Sequence, residues 1–261
     1  MDAKKIDERG ENIMLTDKVA LVTGGSAGIG KEIVLKYLQE GATVITIARN
    51  IDKLKKIRNL TDRNDQLFLQ RCDMGNREDV QMILDYIKEK FGRLDILVNN
   101  AGIMDGMEPI GDVSDETWDK VIAVNLTGPF ILCRGVVKMM LEQEAKGVII
   151  NVASGGGIGG GRAGTAYTAS KFGLVGMSRN IAYMYAPQGI RCNVICPGAV
   201  KTEITMPELN QEGWARVSDG VKNIRMGDAT EIADLALYLA SPYATLINGA
   251  IIPADAGKSA W

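Results

Sequence analysis

Tyr167-Thr168-Ala169-Ser170-Lys171 is the stretch of this chain best equipped for chemistry. Tyr167 and Lys171 are four residues apart, a spacing that puts both on one face of a helix. A free tyrosine titrates at about pH 10. An ammonium held beside it favours the phenolate and draws that value down. Such a pair can give and take a proton, although Tyr and Lys also share helix faces by chance. The composition adds weight, because the chain contains no histidine. Ser-His-Asp and Cys-His catalysis are excluded, as are the usual His-bearing zinc sites, and no metal site is expected. Acid–base work falls to Tyr, Lys, Asp, Glu or Cys. Ser154 closes an apolar run ahead of Tyr167. Its hydroxyl can hold a substrate oxygen or simply open the glycine-rich turn that follows.

A second segment, Thr23-Gly24-Gly25-Ser26-Ala27-Gly28-Ile29-Gly30-Lys31-Glu32, has three readings. As a P-loop it places Glu32 where a Ser or Thr should hold magnesium, and a carboxylate there faces phosphates. As a hydrolase nucleophile elbow it lacks a histidine to activate Ser26. As a dinucleotide turn it is spaced T-G-x-x-x-G-x-G. Bare backbone at Gly24, Gly28 and Gly30 then lets a pyrophosphate approach, and the following helix N-terminus favours its negative charge. A tight strand-to-helix turn without a ligand is the alternative.

These segments need a scaffold, and the pattern supplies one. Strands are expected at Lys18–Thr23, Ala42–Ala48, Gln66–Arg71, Leu94–Val98, Gly147–Val152, Ile190–Ile195 and Ala250–Pro253. Helices are expected at Gly28–Glu40, from Asp52, from the Asn76 cap to Phe91, across Ser114–Glu144 with a bend or break at Gly128-Pro129, and at Thr165–Tyr185 and Ala229–Ala240. Alternating strands and helices imply a doubly wound α/β fold with a mainly parallel sheet and helices on both faces, whose ligands lie beyond the carboxyl ends of the strands. Residues 1–16 read as a mobile leader, and 17–261 as one domain. Two irregular stretches, Gly155–Gly164 and Ala199–Gly227, follow strands on the ligand side, and the second has the pattern of a substrate lid.

Composition narrows the class. The 261 residues are 46% hydrophobic and 24% charged, with a net charge of −2 and a pI of about 5.4. No basic footprint for nucleic acid is present. The first seventeen residues lack an apolar signal core. No uninterrupted apolar run is long enough to span a bilayer, so a cytoplasmic protein without a membrane partner is expected. Cys72, Cys133, Cys192 and Cys196 are too scattered for a disulfide framework, and Cys192 and Cys196 flank a strand run that favours burial over metal ligation.

Taken together, Thr23–Gly30, Asn99-Asn100-Ala101-Gly102, Val124-Asn125, Ser154, Tyr167–Lys171 and Pro197-Gly198 resemble the short-chain dehydrogenases/reductases, in their short single-domain branch. The resemblance covers about residues 17–257. It implies a Rossmann fold, a tetrad of Asn125, Ser154, Tyr167 and Lys171, and a homotetramer built on the Tyr–Lys helix and the C-terminal strand. Tyr167 would exchange a proton with the substrate oxygen that Ser154 orients. Lys171 would hold the nicotinamide ribose and lower the Tyr167 pKa, and Asn125 would support a water relay to Lys171. Further cofactor contacts are implied at Gly24, Ser26, Gly28, Ile29, Gly30, Arg49, Asp73, Asn99, Pro197, Gly198 and Thr202. The closing motif departs from the family's Asp-Gly-Gly, reading Asp255-Ala256-Gly257.

Cofactor choice turns on the end of the second strand. Ala48 stands where a carboxylate for the adenosine ribose of NAD is expected, and Arg49 can pair with a 2′-phosphate, so NADP(H) is favoured over NAD(H). The substrate is expected to be a small-molecule alcohol or ketone. Gly155–Gly161 would form a flexible wall, and Met104, Met107 and Met206 would offer adaptable apolar surface for a bulky ketone such as a hydroxysteroid. Arg162 is either an anion ligand or a solvated loop charge. A 3-oxoacyl or sugar-alcohol reductase and a non-catalytic dinucleotide sensor are the alternatives, and a full tetrad argues against the sensor.

Overall fold

The computed structural model describes residues 13–202, 204, 208–219 and 225–260. Most of the expected leader (1–12), Met206 and parts of the expected lid (203, 205–207 and 220–224) lie outside the described residues. Seven β-branched and apolar runs form strands: β1 (Val19–Thr23), β2 (Thr43–Ala48), β3 (Leu67–Arg71), β4 (Ile96–Asn99), β5 (Val148–Val152), β6 (Arg191–Pro197) and β7 (Ile251–Ala254). They make one sheet in the order β3-β2-β1-β4-β5-β6-β7, and every pairing is parallel. β1, β4 and β5 are buried along their whole length, which is why they read as continuous apolar runs rather than as alternations.

Helices cover both faces. α1 (Gly28–Gln39) and α8 (Ala229–Ala240) pack on one side, where Ile33, Val34, Tyr37, Ala233 and Ala236 share a core with Val22, Val44 and Ile150. On the other side lie α3 (Arg77–Phe91), α5 (Gly128–Glu142) and α6 (Thr165–Tyr185). There Val80, Ile87, Leu132, Val136 and Ile181 close over Leu21, Leu97 and Ile149. Three shorter helices, α2 (Ile51–Lys55), α4 (Asp115–Ile122) and α7 (Gln211–Asp219), sit in the connections. Local chemistry sets the ends. Asn76 Oδ1 accepts the Glu78 and Asp79 amides at 2.8 and 3.1 Å, and Gly92 stops α3 at φ 66°. Strand order reverses about β1, so a crevice opens where β1 and β4 end.

Four local expectations are corrected. Residues 13–16 are tied to the domain. Leu15 is buried and donates its amide to Glu40 O at 3.0 Å, while the Met14 amide reaches Glu40 Oε2 at 3.0 Å. Gly128-Pro129 is no break. α4 continues through a π-helical turn, Ala123–Thr127, straight into α5. Pro129 stands directly after that π-helical turn, and a Cβ on Gly128 would lie 2.3 Å from Met74 O. That continuous stretch, Asp115–Glu142, is long and apolar enough to cross a membrane by length and composition; more than half of its most apolar window is buried in the protein as a core helix. Finally, Ala199–Gly227 is not wholly irregular, because it contains α7, and Val200 bridges Gly227 at its base.

Candidate active site

The ends of β1, β2, β4, β5 and β6 converge on a cleft of about 650 Å³. Its floor is the turn after β1. Gly24 and Gly28 have φ of 71° and 53°, the left-handed region that favours glycine. The turn is locked to the loop after β4, where Thr23 Oγ1 accepts the Asn100 and Ala101 amides, both at 2.9 Å, and Asn100 Nδ2 donates to Thr23 O at 3.0 Å. α1 begins at Gly28 with no side-chain cap and no acidic residue in its first turn. Its first amides therefore lack side-chain acceptors at the edge of the cleft, which fits a dinucleotide pyrophosphate.

The structure brings most of the expected cofactor residues to this cleft. Gly24, Ser26, Gly28, Ile29, Arg49, Asp73, Pro197, Gly198 and Thr202 line it, with Tyr167 and Lys171 at the far end. Two do not. Gly30 faces inward, and a Cβ there would stand 2.3 Å from Gly24 O and 2.4 Å from Asn100 Nδ2. Its bareness serves the packing of helix against turn. Asn99 is also turned away. Its side chain donates to Asn151 Oδ1 at 2.8 Å and to Cys133 Sγ at 3.3 Å, deep in the sheet. Successive side chains on a strand alternate sides, so Asn100 reaches the cleft in its place. Asn151, which continues the network to Ser178 Oγ at 2.7 Å, carries no sequence signal of its own.

The tetrad gathers at the opposite end. Tyr167 and Lys171 are nearly buried on α6, with Lys171 Nζ 5.5 Å from the Tyr167 ring centre. Nζ donates to Val152 O at 3.1 Å. Ser154 Oγ accepts the Gly156 amide at 3.0 Å, which fixes the hydroxyl at the head of a short 3₁₀ turn, and it hydrogen-bonds Tyr167. Asn125 occupies the π-helical turn and clamps Ile103, accepting its amide and donating to its carbonyl, both at 2.9 Å. It does not line the cleft. A Cβ on Gly102 would sit 3.4 Å from both Asn125 Oδ1 and Lys171 Nζ, so the two polar groups flank the same bare backbone.

Burial sets the electrostatics of the pair. Burial pushes the Tyr167 phenol up to about 12, and the hydrogen bond with Ser154 opposes it. Burial also brings the Lys171 ammonium down to about 8. Desolvation thus dominates at Tyr167, and the phenol is protonated at neutral pH.

The substrate side differs in detail as well. Of the expected wall Gly155–Gly161, Gly160 and Gly161 are exposed, while Gly155–Gly157 is a buried turn packed on α6, where a Cβ at Gly157 would meet Lys171 O at 2.9 Å. Arg162 is not solvated but pairs with Asp255 at 3.5 Å, tying the glycine loop to the terminal turn. In that turn Ala256 is left-handed at φ 56°, so the missing glycine leaves the geometry in place. Met104 and Met107 line the cleft, joined by Ile204, Trp214, Val217 and Met226 from the segment above it. Lys53, beside Arg49, also lines it. All four cysteines are buried and free.

Comparison with known proteins agrees with this geometry. Residues 18–213 match the short chain dehydrogenase family model, and the chain belongs to that family. It is 40% identical over 260 residues to 3beta-hydroxysteroid dehydrogenase 2 of Eggerthella lenta, covering 98% of this chain and 100% of that protein. A 3beta-hydroxysteroid dehydrogenase of Mediterraneibacter gnavus is 34% identical, covering 94% and 96%. Levodione reductase superposes with a TM-score of 0.86 at 32% identity, covering 94% of this chain and 99% of that one. The protein is accordingly a dehydrogenase acting on CH–OH groups, with a fold that binds NAD(P).

Proposed function

We propose that the protein interconverts a ketone and a secondary alcohol on a bulky apolar molecule, such as a hydroxysteroid, using NADP(H). The observation that carries this reading is the cleft itself. Ser154 and Tyr167 meet at one end, faced by Met104, Met107, Ile204, Trp214 and Val217, with cations at the other. The hydroxysteroid dehydrogenases among its relatives support the substrate class. When bound, the nicotinamide supplies or accepts the hydride. Ser154 holds the substrate oxygen by a hydrogen bond. The Tyr167 phenol, protonated at neutral pH, gives its proton to that oxygen as the ketone is reduced and takes it back in alcohol oxidation. Lys171, anchored on Val152 O, presents its ammonium to the ribose and to the phenol. Asn125 steadies the loop carrying Ile103 and supports a water path to Lys171.

NADP(H) preference is supported by the end of β2. It carries no acidic residue, and Arg49 and Lys53 both line the cleft beside it. Two cations there suit a 2′-phosphate. The stretch 199–227 acts as a lid over the substrate, bringing Trp214 and Val217 down from α7. Phe130 on α5 and Phe172, Tyr183 and Met184 on α6 are exposed apolar groups, which supports assembly through these helices into a homotetramer. The test is a panel of steroid ketones, simple cyclic ketones and sugar ketoses with NADPH and NADH, followed by absorbance of the reduced nicotinamide. The highest kcat/KM is expected for a steroid with NADPH. A preference for the sugar ketoses or for NADH would overturn the corresponding part of this reading.

A further inference from the structure

Asp105 is a fully buried carboxylate in the loop after β4, yet no ammonium or guanidinium pairs with it among the described residues. Instead it is ringed by backbone amides. Oδ2 accepts the Tyr167 amide at 2.8 Å, and Oδ1 accepts those of Gly164 and Met107, each at 3.2 Å. Gly164 and Tyr167 stand at the N-terminus of α6. That helix has no side-chain cap of its own, and the geometry explains why. A Cβ on Gly164 would fall 2.5 Å from Asp105 Oδ1 and 2.5 Å from the Glu108 amide. The position must be glycine, so the capping oxygen comes from another segment.

We infer that Asp105 is a positioning residue for proton transfer: its carboxylate fastens the backbone of Tyr167 to the loop that carries Met104 and Met107, and so sets the phenol against the substrate wall. This inference rests on the dehydrogenase reading of the site but names a residue that reading does not use. A cap supplied in trans does two jobs. It meets the orphan amides and the positive end of α6, as an N-cap carboxylate does. It also makes the Tyr167 position depend on the Gly102–Met107 loop, which no local cap would do. The second tie between the same segments, the Thr165 amide on Glu108 O at 2.9 Å, shows that this contact is a seam and not a single bond.

The charge has a consequence of its own. The groups facing Tyr167 are Asp105, Cys196, Ser154 and Lys171, and Asp105 acts to keep the phenol protonated. Glu108 lies beside Asp105, and its own carboxyl is raised by burial and by that neighbour. Replacing Asp105 with a neutral residue therefore moves the Tyr167 limb of the pH profile for alcohol oxidation to lower pH.

The test uses the intact protein and the variants D105A and D105N. Asn can accept on one side only, so it keeps the shape of the seam while losing the charge and part of the clamp. Both variants should retain dinucleotide affinity, measured by quenching of protein fluorescence. Amide hydrogen exchange at Tyr167 should accelerate. A displacement of the phenol by an ångström costs roughly 10²-fold in rate, so kcat should fall by about ten- to a hundredfold while KM changes little. The D105N limb should move to lower pH. Unchanged Tyr167 exchange in D105A would overturn the clamp, whatever the protein catalyses. Accelerated exchange with unchanged kcat and an unmoved pH limb would overturn the positioning role.

Discussion

Lys171 should weaken the fold that it makes active. Its ammonium is nearly buried, donates to Val152 O at 3.1 Å, and is brought by burial from an ordinary 10.5 to about 8. At about 1.4 kcal/mol per pH unit, that fall amounts to roughly 3 kcal/mol of burial penalty at neutral pH. Lys171→Met keeps the linear stem, removes the penalty and gives up one hydrogen bond worth about 1 kcal/mol. Net stabilisation of roughly 1–3 kcal/mol is expected at pH 7. The pH dependence carries the proof. Below about 8 the lysine is charged in both states and the penalty is whole. Between about 8 and 10.5 the unfolded chain binds more protons than the folded one, so native stability rises with pH. The advantage of the variant should therefore shrink across that window. Equilibrium urea unfolding of both proteins without cofactor, at pH 7 and pH 10, measures it directly, and turnover of the variant should be lost. A variant less stable than the parent by the same amount at both pH values would refute the reasoning.

Three further expectations follow from the cofactor end. Arg49→Ala should weaken NADP(H) by about tenfold, the lower end for a charge-assisted hydrogen bond because Arg49 is exposed, and should leave NAD(H) nearly unchanged. Ala48→Asp should turn preference toward NAD(H), both read from Kd by fluorescence titration. Gly30→Ala should destabilise the protein by about 1–3 kcal/mol through overpacking and weaken both dinucleotides. Its new methyl meets Gly24 O and displaces the turn. Unfolding midpoints and affinities equal to the parent's would contradict that assignment.

The sheet and its flanking helices were legible because their signals are local and redundant. The runs at Val19–Thr23 and Val148–Val152, the Asn76 cap and the Gly92 stop each point the same way. The Tyr167–Lys171 pair was legible because the two share a helical face, whereas Asn125 entered the expected tetrad only through the family resemblance. What escaped depends on contacts distant in sequence. Asn99 and Asn100 are neighbours in an identical dipeptide, and only the phase of β4 decides which faces the cleft. Gly30 reads like Gly24 until Asn100 is seen against it. Asp105 resembles any loop carboxylate until α6 arrives with an uncapped end, 59 residues later in the chain. The balance of burial against the Ser154 hydrogen bond at Tyr167 is likewise a property of the packed site, beyond the reach of residue spacing.

The Tyr167 hydroxyl is the proposed carrier of the proton that accompanies hydride transfer. Tyr167→Phe keeps the ring and its packing with Val121 and Ala166 and removes only that hydroxyl. Steady-state rates on the best ketone of the panel, with Kd for the reduced dinucleotide measured in parallel, give the decisive comparison. A fall in kcat of about 10²–10⁴-fold is expected for loss of the general acid, with dinucleotide affinity unchanged. A variant turning over within a few-fold of the parent would show that the proton comes from elsewhere.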